Sequence, residues 1–379
     1  MNLTFSRKDL LNRMNSVGSA INAKTPVPLL ENYLFKIEEG LLTILATDLE
    51  TTITTTMPIE YKGAKFSLAV PKKLQEMLNA LPEQALILEI DETNLEITLK
   101  AVVGNYNGKC SGLDVGKDGE EFPKPKDLEE LHHSFELPCS VLVNSIARTK
   151  FAAATEEARP AMTGILFDIF TDKLTFVATD AHKLVKYSIL NQKYEFEDSF
   201  ILPKKPADYL LKVVPNSDED LVKISFDDKN IHFDLPEYSV KCRRIEGRFP
   251  NYNAVIQQNN PFKVIVDKDA LINAVKAVKV SANAGTGLLK VKLTENQIEL
   301  SSQDLDFSTA AEQSIVCQYS GDELEIGFKA ALLEDILSNI RCSQVQIELA
   351  DASKAGIIVP FENEENEDLL MLLMPMFLN

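Results

Sequence analysis

The sequence predicts an α+β protein built from three copies of one domain, each with helices packed on antiparallel sheets. Three observations carry that prediction. Short helical stripes alternate with strands of period-two apolar pattern, hairpin by hairpin. Landmarks return at a constant offset: Leu42-Thr43 to Asp48 recurs as Leu174-Thr175 to Asp180, and Pro71-Lys72-Lys73 as Pro203-Lys204-Lys205, both 132 residues on. Finally, an apolar tail, Leu372 to Leu378, follows an acidic run (Glu362, Glu364, Glu365, Glu367, Asp368) and would fray or aggregate unless covered.

Taken in order, residues 6 to 22 carry Leu10, Met14, Val17 and Ile21 on one helical face, with Ser6 placed to cap it. Leu34 to Ile37, a Glu39-Gly40 turn and Leu42 to Asp48 form a hairpin. Phe66 to Val70 leads into a helix carrying Leu74, Met77, Leu78 and Leu81, with Pro71 in its first turn. Leu86 to Ile90 and Leu95 to Leu99 make a second hairpin. The order then repeats. Leu10-Leu11-Asn12 returns as Leu142-Val143-Asn144 and as Leu271-Ile272-Asn273, each at a helix start. The third copy is more diverged, with Ile298 to Asp304 lying 124 residues beyond the second hairpin strand and Lys329 lying 125 beyond Lys204. About five residues are therefore missing between helix and hairpin in that copy. The Gly-, Glu-, Lys- and Pro-rich stretch from Asp114 to Ser134 is the first linker, and its Phe122-Pro123 matches Phe249-Pro250 near the second boundary. The domains are expected at 1–130, 131–254 and 255–379.

Composition bounds the function. A chain of 379 residues, 45% hydrophobic and 25% charged, is long enough for several real cores. No apolar run is long enough to span a bilayer and the first residues do not resemble a signal peptide, so a cytoplasmic protein without membrane attachment is expected. The five cysteines are scattered, without CxxC spacing, and the four histidines are no closer to a metal-binding pattern. A net charge of −18 argues against a globally basic surface but leaves room for a local one.

Three groups of residues could carry chemistry. Asp48, Asp180 and Asp304 each end a strand; repeated carboxylates can hold a metal, but Asp in a turn after a strand is ordinary turn chemistry. No nucleophile, phosphate loop or cofactor motif accompanies them, and no active site is predicted. The lysines Lys72, Lys73, Lys204, Lys205 and Lys329 sit at comparable helix starts, while Lys24, Lys150, Lys276 and Lys279 lie on or just after the other helices. A solvated helix face explains any one of them; recurrence points to a shared surface for phosphates, without sequence readout. In the tail, Pro375 cannot continue a ladder, and Met374 and Met376 give a mouldable apolar surface suited to several partner peptides.

These residues together resemble a known family. The threefold repeat, Glu157-Ala158-Arg159-Pro160 with Gly164-Ile165-Leu166-Phe167, Ala178 to Leu184, Gly247-Arg248-Phe249-Pro250-Asn251-Tyr252 and terminal Met374-Pro375-Met376 are similar to the bacterial sliding clamps, the beta subunit of DNA polymerase III, over essentially the whole chain. The resemblance implies clamp-type domains and a head-to-tail homodimer closing a six-domain ring around duplex DNA. It implies no catalysis and no cofactor, and as partners the replicative polymerase, a clamp loader and other proteins bearing a clamp-binding motif. It places a peptide groove at Met162, Thr179, Ala181, His182, Lys183, Leu184, Pro250, Val255, Leu372, Met374, Pro375, Met376, Phe377 and Leu378. DNA-facing positions would be Lys24, Lys72, Lys73, Arg159, Lys204 and Lys205. The chain departs from the family's pattern at Ala181, where glycine is usual, Lys183 and Phe377, where arginine is usual, Ala254, where a basic residue is common, and in the extra Asn379. Two other readings stay open: a metal-dependent phosphodiesterase using the repeated aspartates, and a scaffold that binds peptides but not DNA.

Overall fold

Each repeat contributes two four-stranded antiparallel units and two helices to the fold. The computed structural model describes residues 1–22, 25–101, 103–123, 127–129, 132–156 and 158–378. The first repeat runs β1 (Asn2–Ser6), α1 (Arg7–Val17), β2 (Asn32–Glu38), β3 (Leu41–Thr47), β4 (Thr51–Pro58), β5 (Phe66–Pro71), α2 (Lys72–Ala80), β6 (Ala85–Ile90), β7 (Glu96–Ala101) and β8 (Asn107–Ser111). The second follows the same order: β9 (His133–Pro138), α3 (Cys139–Thr149), β10 (Gly164–Ile169), β11 (Lys173–Thr179), β12 (Lys183–Leu190), β13 (Asp198–Pro203), α4 (Lys204–Val213), β14 (Leu221–Phe226), β15 (Asn230–Asp234) and β16 (Tyr238–Arg243). The third comprises β17 (Phe262–Asp267), α5 (Lys268–Lys279), β18 (Leu288–Thr294), β19 (Gln297–Asp304), β20 (Thr309–Val316), β21 (Leu324–Lys329), α6 (Ala330–Asn339), β22 (Gln344–Leu349), β23 (Gly356–Pro360) and β24 (Glu367–Leu373).

The sheets do not stop at the repeat boundaries. One eight-stranded sheet has the order β5-β2-β3-β4-β16-β15-β14-β9, so β4 of the first repeat pairs with β16 of the second. The other, β13-β10-β11-β12-β24-β23-β22-β17, joins the second repeat to the third through β12 and β24, with Leu184 opposite Leu372. Two four-stranded sheets remain, β1-β6-β7-β8 and β20-β19-β18-β21. The chain accordingly divides into two compact units, Met1–Val143 with Lys205–Arg244 and Asn144–Lys204 with Ile245–Asn379, which cut across the second repeat because sheet hydrogen bonding crosses its borders.

The helices obey the apolar pattern. Leu10, Leu142 and Leu271 are each the fourth residue of their helix and are buried. Ser6 caps α1 by accepting from the Asp9 amide, and Asp267 caps α5 through the Ala270 amide. Two sequence expectations shift by one position. Pro71 does not lie in the first turn of α2; it ends β5 and stands as the residue before the helix, opposite Asn32. Lys329 likewise precedes α6 and lies opposite Leu288, so it matches Pro71 and Pro203 by place, whereas Lys72 and Lys204 open their helices. The counterpart of Lys204 in the third, shorter copy is thus Ala330, which opens α6. The expected border between residues 130 and 131, Glu157 of the second-repeat motif, Lys24 and Asn379 lie outside the described residues. The five cysteines are unpaired thiols, and burial pushes the Cys110 pKa up to about 11.

Candidate functional site

The tail is built in two parts. Leu369 to Leu373 belong to β24, held between β12 and β23, as the apolar run predicted. Past Leu373 the ladder ends, because Pro375 has no amide hydrogen. The Met374 N–H donates to the His182 carbonyl and the Met376 N–H to the Gly327 carbonyl, both at 2.8 Å. The tail therefore crosses from β12 to β21, clipped at two points. A Cβ on Gly327 would stand 2.6 Å from the Met376 carbonyl oxygen and 3.1 Å from Leu378 Cδ2, so the absent side chain lets the tail lie there. Met374 and Phe377 stay open to solvent, at 41% and 88% exposure.

Beside the tail lies an apolar cluster on one face of the second eight-stranded sheet. Leu166, Val177, Leu184, Ile201 and Leu372 point from five strands to the same face, since strand side chains alternate. Phe249 and Tyr252 cover them from the segment after β16, with Ala161, Ile245, Ile256 and Leu370 packed at the margin. Burying such side chains contributes about 1.5–3 kcal/mol each, enough to hold an irregular segment against a sheet. The Tyr252 hydroxyl donates to Asp168 Oδ2 at 2.7 Å. Burial raises the Asp168 pKa, with the tyrosine hydrogen bond working against that rise. Of the groove positions predicted from sequence, Leu184 and Leu372 lie in this cluster. Met162 is buried at the end of the turn that carries Ala161, while Pro250 lies within the covering segment, between Phe249 and Tyr252, and half-exposed Val255 follows it. Sequence reasoning missed Gly327, Tyr252, Ile256 and Asp335. A lone glycine inside an alternating strand was the one available signal, since it marks close backbone approach.

Thr179 to Lys183 form the turn at the rim. Thr179 Oγ1 donates to the Lys183 carbonyl and accepts from the Ala181 amide, while Asp180 Oδ1 accepts from the amides of His182 and Lys183. Ala181 is forced to φ +75°, a conformation glycine adopts at little cost. The first repeat builds the same turn with Thr47, Asp48 and Leu49 at φ +78°. Lys183 alternates with Leu184 and so leaves the sheet on the other face. Its ammonium lies 3.1 Å from Asp335 Oδ2 and 3.4 Å from Asp180 Oδ2, near the Phe151 ring.

The lysines at helix starts oppose the helix dipole. Lys72 and Lys73 open α2, and Lys204 and Lys205 open α4, with no acidic residue in either first turn. Cations there cost stability unless an anion joins them. Lys73 reaches Glu76 at 2.9 Å and Lys205 reaches Asp48 at 2.5 Å; Lys204 Nζ donates to the Ala153 carbonyl. Burial works against the Lys205 charge, but the hydrogen bond and attraction to Asp48 outweigh it and raise its pKa. Lys72 and Arg159 are exposed.

Three family models match in succession: the DNA polymerase III beta subunit N-terminal domain over residues 1–114, its central domain over 136–251 and its C-terminal domain over 253–376. The chain belongs to the DNA polymerase III beta subunit family. The beta sliding clamp of Haemophilus influenzae is 27% identical over 377 residues, covering 99% of this chain and all of the relative. Among solved structures, the DNA polymerase sliding clamp of Pseudomonas aeruginosa superposes with a TM-score of 0.91 at 25% identity, with both chains fully covered. A sliding clamp from Bartonella birtlesii, solved bound to griselimycin, gives 0.89 at 27%, also over both full chains.

In this beta-subunit chain the repeated aspartates are turn formers. Asp48 and Asp180 each accept two backbone amides, and Asp304 accepts those of Asp306 and Phe307. No cluster of three or more His, Cys, Asp or Glu side chains suited to a metal occurs among the described residues. The carboxylates that suggested a phosphodiesterase thus have a complete account as Asx turns.

Proposed function

We propose that this protein is the processivity clamp of a replicative DNA polymerase: two copies close a ring around duplex DNA, and the groove beside the C-terminal tail tethers the polymerase, the clamp loader and other motif-bearing proteins. It is a non-catalytic subunit. Among the described residues no helix is long and apolar enough to cross a membrane, and the cytoplasm is its proposed location.

The observation that carries the ring is the pattern of sheets. Of the chain's six four-stranded units, four have merged pairwise into eight-stranded sheets, leaving one at each end of the chain unmerged. Each leftover sheet ends in two edge strands, β1 and β8 in the first repeat and β20 and β21 in the third, and by place in the repeat β8 corresponds to β16 and β20 to β4, the edges that merge within the chain. Apolar side chains stand exposed close to each: Val103 just before β8, and Val280, Leu305, Phe307 and Val316 on or beside β20. Such edges aggregate unless paired. Pairing β8 of one copy with β20 of another completes the series, and a twofold axis does so twice, closing the assembly.

The domain limits 1–130, 131–254 and 255–379 and the residues assigned to groove and DNA belong to this proposal. The lysines opposing the helix dipoles at α2 and α4 support the DNA-facing assignment, and the clipped tail beside an apolar cluster supports the groove. The test is topological. The protein should run at twice the chain mass by light scattering and, once loaded on nicked circular duplex, stay bound through gel filtration until the circle is cut. Equal retention on linear and circular duplex would overturn the ring.

A further inference from the structure

The repeat gives one lysine a further role, on the reading that two copies join β8 to β20. We infer that Lys73 of one copy pairs across that junction with the turn aspartate Asp304 of the other, and serves ring closure rather than contact with DNA. The seam between β4 and β16 shows the pattern within one chain. Asp48 follows β3; its Oδ1 accepts the Glu50 and Thr51 amides, and its Oδ2 takes the ammonium of Lys205, second residue of α4, at 2.5 Å. That pair ties the first repeat to the second beside their seam, with the Asp48 side chain only 6% exposed. At the next seam α6 opens with Ala330 and Ala331, which offer no amine, and Asp180 is met instead by Lys183 at 3.4 Å.

Asp304 holds the same place in the third repeat. Its Oδ1 accepts the amides of Asp306 and Phe307, as Asp48 does in its own turn, but among the described residues its Oδ2 receives only the side-chain amide of Asn283, at 3.2 Å. These donors are all neutral. Asp304 is 4% exposed, and a buried carboxylate without a cation is unfavourable. Exposed Asp306 adds a second negative charge to the turn. In the ring, the element that comes beside this turn as α4 comes beside Asp48 is α2 of the next copy, whose second residue is Lys73. Lys73 and Lys205 each have an acid three residues on, Glu76 and Asp208. Lys205 nevertheless goes to the seam aspartate, whereas Lys73 rests on Glu76 at 2.9 Å with both side chains more than 60% exposed. So exposed a pair contributes little and yields to a buried carboxylate, where the ammonium displaces the long Asn283 contact.

The test follows the dimer dissociation constant of the full-length protein by fluorescence-detected sedimentation through a dilution series. Lys73→Gln should raise that constant by about tenfold or more, since the loss is felt at both junctions of the ring. Asp304→Asn keeps an acceptor for the turn amides and removes the charge; in that background Lys73→Gln should add less than about twofold. Glu76→Gln should act in the opposite sense and lower the constant, because it removes the acid that holds Lys73 in the free chain. If Lys73→Gln leaves the dimer unchanged but shortens retention on circular duplex, the inference is overturned and Lys73 returns to the DNA-facing set. Independent, additive losses from Lys73→Gln and Asp304→Asn overturn it too, as does a weaker dimer from Glu76→Gln. Should Asp304→Asn fail to fold, the opposite signs expected of the Lys73 and Glu76 variants still decide. Native protein that sediments as a single chain at every concentration removes the junction itself, and the ring falls together with the inference.

Discussion

At the scale of single residues, the informative positions are those that sit against their own preference. Ala181 and Leu49 both hold positive φ because the threonine and aspartate before them close the same five-residue turn. Left-handed backbone costs a residue with a Cβ about 1–2 kcal/mol, part of which glycine would lose again as chain entropy. Ala181→Gly should therefore stabilise the protein by up to about 1 kcal/mol, read as a rise in the denaturant midpoint. No rise would mean that the turn carries no strain. Asp168 offers a second test. Its folded pKa is raised, so the folded state holds a proton that the unfolded state releases first, and the stability linked to that proton is lost as pH rises through the raised value. Asp168→Asn keeps an acceptor for Tyr252 and removes the buried charge, so its advantage over the native protein should grow with pH across that window. Asp168→Ala strands the hydroxyl and should cost about 1–2 kcal/mol. Equal stability of the two variants would show that the Tyr252 bond holds nothing in place.

At the scale of elements, the tail behaves as a strap with two anchors rather than a loose end. Gly327→Ala places a methyl group where the Met376 carbonyl and Leu378 now lie. It should lower partner-peptide affinity at least tenfold, about 1.4 kcal/mol, while light scattering still reports two chains. An unchanged affinity would show that the strap is not part of the groove. The sequence made the strand Leu369 to Leu373 and its end at Pro375 readable, because alternation and the missing amide are local properties. It could not reveal that Met376 pairs with Gly327, since nothing near either residue names the other. Helix starts were legible to within one position, and the slip at Lys329 followed from measuring by spacing in a copy that had lost residues. The pairing of buried Lys183 with exposed Asp335 was hidden for the same reason as the tail's second anchor: two residues 152 apart in sequence meet only through the fold.

At the scale of the whole molecule, the repeat was the most legible feature, since one offset recurs at separate landmarks. What no sequence offset could show was how the copies join. Two of the residues expected to meet DNA are shared with carboxylates of the same chain, Lys73 with Glu76 and Lys205 with Asp48, and Lys204 with a carbonyl, which leaves Lys72 and Arg159 exposed. Affinity for short linear duplex should be weak, with a shallow dependence on salt corresponding to only a few phosphate contacts. A steep slope would mean that the ion pairs open to grip the backbone. The junctions themselves set how the assembly can yield. Between the second and third repeats, β12 and β24 are zipped over seven residue pairs, from Lys183–Leu373 to Ile189–Glu367, and β4 and β16 run five pairs between the first and second. A force along such a junction loads all its hydrogen bonds at once, so these seams resist shear like a glued lap joint. A ring of two such chains would accordingly have to open elsewhere than at these two seams.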